Sequence, residues 1–423
     1  MSVIAPPRSV PTLDADVAGL NSAHQYAFAA AVGLTAALWF LALSGWLGVR
    51  PGSVITTRQN VLFSSDTSVW IDRMEGAVTP PQQLVHPLQT PFWRGPCRAL
   101  YHLLLATSLP SEYAAVLAAR LLVAIVDGIG VGFLAFLALH NEIKISHCVL
   151  LFTMYLLFTS NSTAALPEHF GISNALLTIA FVVPLLTASV RIRTTVLSAL
   201  VVLCGGTTIT NAVFPVASLV HYSFKSMRAK VTLLLAAIAV FAGGMLFLYL
   251  KSYSIHSFIS HYLNLRLLTD PVSGATYYVF ALIGPVIGPI PRVLRLPGWD
   301  MVSYEPAHFP VHLTYYSWIQ AFGVVAWIVL LSTCVLKGLQ EDRTRLAVCL
   351  LLAWILFNAT LHNIWGDEFI LYSPHWSWAL MGLVVLGARR LSRAFVATTV
   401  FPILISQILA LLAIKSALQT IVR

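Results

Sequence analysis

The sequence predicts an all-α, polytopic transmembrane protein of about eleven spans with two long non-cytoplasmic loops containing short interfacial helices, and three observations carry that prediction. Only 10% of the 423 residues are charged, whereas a soluble domain carries about a quarter. Hydrophobic residues make up 58% of the chain, and the mean hydropathy is +0.81. Apolar runs of about 18 residues or more, long enough to cross a bilayer, recur from one end to the other. So few charges do not cover a soluble protein of this size, and lipid is the expected solvent.

The net charge is +9, but the basic residues stand in short clusters between apolar runs, as they do in cytoplasmic loops of membrane proteins. That distribution argues against a nucleic-acid partner. Cys97, Cys148, Cys204, Cys334 and Cys349 are scattered without a C-x-x-C pair, the pattern of buried thiols and not of a disulfide frame or zinc site.

Residues 1–25 read as a cytoplasmic tail and 26–423 as a single transmembrane domain. The first apolar run, 26–47, is too long for a signal-peptide core and lacks a convincing cleavage site, so it reads as a retained helix. Residues 51–110 form a long polar segment. Within it, 91–109 mixes Arg94 and Arg98 with Leu100, Leu103 and Leu104, a pattern that lies in the interface plane. Spans are expected at 112–139, 146–165 and 172–189, the last two joined through Pro167-Glu168-His169. The run 194–224 is broken by Gly205-Gly206-Thr207-Thr208-Ile209-Thr210-Asn211 and has basic residues at both ends. Two short helices meeting at that turn satisfy both features, and such a break is tolerated only where protein buries it or it lines a cavity. A span at 230–250 precedes the second long polar segment, 251–315, and further spans follow at 316–336, 345–362, 375–387 and 395–414.

Lys144, Arg191, Arg193, Lys225, Lys337, Arg343, Arg345, Arg389, Arg390 and Arg393 fall on one side, which is read as the cytoplasm. The two long segments, the Pro167-Glu168-His169 connection and residues 363–374 then face outward, away from the cytoplasm.

In the first outer segment Asp66 and Asp72 stand beside Arg73 and shortly before His86, which supplies a base, a cation and a proton relay. A solvated loop explains the same residue types. Arg120 and Asp127 lie inside a span, where charge is costly, and Asp127 is expected to pair with another helix in preference to a catalytic role. His362, Tyr372, His375, Trp376 and Trp378 crowd one membrane end, and an interfacial aromatic belt explains most of that density.

The acidic Asp66-Thr67 and Asp72-Arg73 pairs after the first helix, His86-Pro87, Pro167-Glu168, the Gly206-to-Asn211 turn and Leu371-Tyr372-Ser373-Pro374-His375-Trp376 together resemble the integral membrane glycosyltransferases of the GT-C superfamily. The resemblance covers most of the chain by layout and is nearest to the bacterial, polyprenyl-phosphate-sugar-dependent type. It implies a polyprenyl-phosphate-linked sugar as donor, a glycan, lipid or protein acceptor arriving from the outer side, and inversion at the anomeric carbon. It also implies an acidic general base in the first outer loop, carried to Asp66 first and Asp72 second. Groups for the substrate and its leaving phosphate are then sought among Arg73, His86, Glu168, His169, Arg266, Tyr372 and His375. Many superfamily members use a divalent metal such as Mg or Mn. No closely spaced ligand set stands in this sequence, and Asp66, Asp72 and Glu168 share an ion only if the fold joins their loops. A transporter or flippase of lipid-linked sugars has a similar composition and also uses broken helices, and a glycan polymerase or ligase is the other alternative.

Overall fold

A computed structural model describes residues 22–58, 61–75, 89–223, 266–296, 299–304, 315, 317–364 and 369–422. In chain order, α1 (Ser22–Leu47) leads into α2 (Val54–Thr57), α3 (Thr67–Glu75) and α4 (Gln89–Leu105). Next come α5 (Ser111–His140), α6 (Ile145–Leu156), the single turn α7 (Asn161–Ala164) and α8 (His169–Leu186). A 3-10 turn, Ile209–Ala212, separates α9 (Val190–Thr207) from α10 (Val213–Ser223). Helices α11 (Arg266–Thr269) and α12 (Pro271–Ile283) precede strands β1 (Arg292–Leu296) and β2 (Trp299–Ser303). The described chain closes with α13 (Trp318–Gln340), α14 (Asp342–Ile364), α15 (Phe369–Tyr372), α16 (Pro374–Gly387) and α17 (Arg393–Val422).

Among the described residues seven helices are long and apolar enough to cross a membrane: α1, α5, α8, α9, α13, α14 and α17. These are the helices of a multi-pass membrane protein. The expected break in 194–224 is present as the 3-10 turn between α9 and α10, and the expected span at 230–250 lies outside the described residues. Two other expected spans differ in the structure. The run 146–165 is not one helix: α6 has 12 residues, about 18 Å at 1.5 Å per residue against a hydrocarbon core of about 30 Å. Its end is set by side chains that take over backbone partners. Asn161 Nδ2 donates to the carbonyls of Tyr155 and Leu156, Ser162 Oγ to Thr159 O, and Thr163 Oγ1 to Ser160 O. Such local bonds offer the chain an alternative to the helical ladder, and all of Thr159 to Thr163 is fully buried. The other is α16, whose 14 residues are all buried. It is a central helix wrapped by the bundle.

Helices α1 and α5 run antiparallel, with Tyr26 stacked on Phe136 and Arg120 Nη2 donating to Leu41 O at 2.6 Å. Between those contacts lies a seam of small residues, Gly33 and Ala37 against Gly128 and Gly132, where a Cβ on Gly128 would stand 2.6 Å from Gly33 O. Small residues let helices approach closely where no water drives association.

Asp127 is completely buried and takes the structural role expected of it. Its Oδ1 accepts from Asn174 Nδ2 of α8 at 2.6 Å, and the same amide reaches the Tyr155 hydroxyl of α6 at 3.3 Å. This joins three helices. Asp127→Leu leaves the Asn174 amide without its acceptor and is expected to lower stability by about 1–3 kcal/mol, whereas Asp127→Asn keeps an acceptor and costs less. Thermal midpoints of the detergent-solubilised variants read the difference, and equal midpoints would remove the clamp.

One element outside the all-α expectation is the antiparallel hairpin β1–β2, in which Arg292 faces Ser303 and Leu296 faces Trp299. Val302 also exchanges backbone bonds with the first long segment, accepting from Phe63 N at 2.8 Å and donating to Val61 O at 2.8 Å. The hairpin thereby ties the two long polar segments together. At another place in the bundle Arg389 bonds Glu142 at 2.5 Å and Arg390 bonds Glu341 at 2.8 Å, gathering the basic connections.

Candidate functional site

Four stretches of chain, from three separate regions of the sequence, meet near the N-terminal end of α8. The first is the turn before α3. Phe63 and Ser64 both adopt left-handed backbone, at φ 51° and 58°, a conformation that is strained for a bulky residue. The turn is held by the Val302 bridge and by Phe63 stacking on Tyr304 at 4.8 Å. It delivers Asp66 to the start of α3, where its carbonyl accepts from Trp70 N at 2.9 Å. Asp66 is half-buried, while Asp72, later in the same helix, is exposed.

The second stretch is Pro167-Glu168-His169. Glu168 is 2% exposed and occupies the residue before α8, where an acidic group is favoured by the helix dipole. Its Oε1 accepts a bond from Thr67 Oγ1 at 2.8 Å. That contact joins the residue beside Asp66 to the loop that carries Glu168 and His169. Thr67→Val removes a buried donor to a carboxyl group and is expected to cost about 1.5–3 kcal/mol, read as a fall in thermal midpoint, with Thr67→Ser recovering most of it. If valine leaves the midpoint unchanged, the bond does not hold the two segments.

The third stretch is α15 and the start of α16. His375 is buried and lies 6.2 Å, ring to ring, from His169 and 5.6 Å from Phe170. Pro374 opens the helix, a position suited to its fixed φ. The His375 carbonyl accepts from the indole nitrogens of Trp354 and Trp378, each at 2.8 Å. Part of the aromatic density that the sequence assigns to an interfacial belt therefore serves as an internal scaffold. The fourth stretch is the C-terminal end of α14, where His362 stacks on Tyr372 at 4.2 Å and lies 6.4 Å from His375. Three imidazoles thus run in a row, His169, His375 and His362.

Of the residues singled out from sequence, His169, Tyr372 and His375 are brought together with Glu168 beside His169, and Asp66 is the chain neighbour of Thr67, which bonds Glu168. Asp72 faces outward from α3 instead of sharing the Glu168 environment. His86 lies outside the described residues, as do the side chains of Arg73 and Arg266. Among the described residues no three His, Cys, Asp or Glu side chains are grouped to hold a metal ion. Thr67 and His362 are the additions. The sequence names them only as the neighbour of Asp66 and as part of an aromatic stretch, and their contacts depend on which helix ends meet.

The site has polar and acidic groups at one side, a row of imidazoles, and aromatic walls of Phe170, Tyr372 and Phe369. Comparison with protein-family models, with curated proteins and with solved structures returned no match.

Proposed function

We propose that the protein is a membrane glycosyltransferase that moves a sugar from a polyprenyl-phosphate carrier to an acceptor hydroxyl at the non-cytoplasmic face, with inversion. The observation that carries the reading is the Thr67–Glu168 bond, which sets the Asp66 turn against the loop bearing His169, next to His375. The acceptor oxygen attacks the anomeric carbon as the bond from that carbon to the phosphate oxygen breaks. The acceptor proton passes to the Asp66 carboxylate, and the electron pair of the broken bond leaves on the polyprenyl phosphate. A carboxylate in reach of the hydroxyl is what that proton transfer needs. Imidazole N–H groups of His169 and His375 and the Tyr372 hydroxyl suit the charge that grows on the leaving phosphate. Glu168 positions Thr67 and so the turn.

The experiment uses the purified full chain in liposomes with radiolabelled polyprenyl-phosphate hexoses and pentoses and a mixed glycan and lipid acceptor pool. Label moving to acceptor, with release of unlabelled polyprenyl phosphate, is the expected result. Intact donor crossing the bilayer without transfer would replace this reading with a flippase.

A further inference from the structure

A second set of polar groups lies where α4 meets the broken helix α9–α10, and the reaction above does not use it. Asn211, in the 3-10 turn, is fully buried, and neither its amide nitrogen nor its amide oxygen has a hydrogen-bond partner. The Thr208 hydroxyl, also buried, is likewise unpaired. The two residues are held together by the bond from Asn211 N to Thr208 O at 2.9 Å. Helix α4 comes against this turn through Trp93, whose Nε1 donates to Thr207 Oγ1 at 3.1 Å. The next residue, Arg94, is half-buried, and its Nε is enclosed without a partner.

Orphaned groups of this kind are rare in folded proteins because each loses its water without compensation. Here a carboxamide and a hydroxyl in the broken segment of a membrane bundle, and a guanidinium Nε on the helix packed against it, are without partners, and non-helical backbone at membrane depth is tolerated where protein buries it or it lines a cavity. The turn is also coupled to the site already described. Phe214, three residues beyond Asn211, packs on Trp354 at 5.3 Å and Trp378 at 4.9 Å. Those two indoles hold the His375 carbonyl.

We infer that Asn211, Thr208 and Arg94 form the subsite that recognises the donor's head group. The Asn211 amide and Thr208 hydroxyl pair with sugar hydroxyls, and the Arg94 guanidinium takes an oxygen of the adjoining phosphate. A carboxamide both donates and accepts, which matches neighbouring hydroxyls on a sugar ring, and guanidinium suits phosphate. The inference rests on the transferase reading and supplies its substrate-recognition residues.

Equilibrium binding to the full chain in nanodiscs tests it, with bare decaprenyl phosphate and decaprenyl phosphate bearing glucose, galactose, mannose or arabinose as probes. Asn211→Leu, an apolar near-isostere, and Thr208→Val are each expected to weaken the preferred sugar lipid by about tenfold or more and bare decaprenyl phosphate by less than about twofold. Arg94→Gln is expected to weaken both. Should Asn211→Leu fail to fold, Thr208→Val carries the same comparison. If Asn211→Leu raises the thermal midpoint and sugar-lipid affinity is unchanged in both variants, these groups hold water only and the subsite is overturned, leaving the transferase reading intact. Wild type that binds no sugar lipid more tightly than the bare phosphate also overturns the subsite. Wild type that binds neither overturns the transferase reading with it.

Discussion

On the transferase reading proposed above, asparagine in place of Asp66 is expected to lower sugar transfer by roughly 10²–10⁴-fold, the contribution of a positioned general base. Asparagine keeps the size and hydrogen-bonding shape of the side chain but does not take a proton at neutral pH. The acceptor hydroxyl then attacks without its base, while donor binding, which depends on other groups, persists. The loss therefore falls on kcat, with KM for the donor little changed. Asp72→Asn is the matched control: its side chain is exposed on α3, and surface substitutions away from special features are nearly neutral. Both rates come from initial velocities with the same radiolabelled donor. Equal rates for wild type and Asp66→Asn would remove the base assignment, and a large loss in Asp72→Asn alone would reverse it.

Gly128→Leu is expected to have the largest effect on folding. A Cβ at this position meets Gly33 O at 2.6 Å, Ala37 Cβ at 2.8 Å and Ala37 N at 3.0 Å, two of them main-chain atoms that do not swing aside. The remainder of a leucine side chain has to be placed between two helix backbones already in contact. Overpacking of a filled core costs about 1–3 kcal/mol and at times more, and here relief requires α1 to move off α5 along its whole antiparallel seam. Loss of the monodisperse peak in detergent gel filtration, or a fall in thermal midpoint larger than for Asp127→Leu, is the expected readout. A wild-type profile would show that α1 does not pack on α5 through this seam.

The membrane class was legible because composition and run length are direct consequences of solvation: a chain in hydrocarbon has to be apolar over about 18 residues at a time. The same logic placed the break at Gly205 to Asn211 and the partner role of Asp127. It misplaced the third span and left open what surrounds 375–387, because apolarity says that a segment avoids water and does not say whether lipid or protein encloses it. Residues 375–387 are apolar since they are enclosed by other helices, and 159–165 is buried although its side chains are polar. A window that averages hydropathy passes over a turn whose Asn161, Ser162 and Thr163 bond back to the chain.

For the site, the sequence by itself determined the inventory: an acidic segment after the first helix, Glu168 and His169 before another, and a histidine-rich stretch near its end. Only the tertiary structure decided that Asp66 is half-buried and Asp72 exposed, that Thr67 binds Glu168, and that His362 and His169 both lie near His375. The physical reason is range. Solvation and helix propensity act on each residue through its own neighbours in the chain, whereas hydrogen bonds and ring contacts across 101 or more positions exist only once particular helix ends meet, as between Thr67 and Glu168.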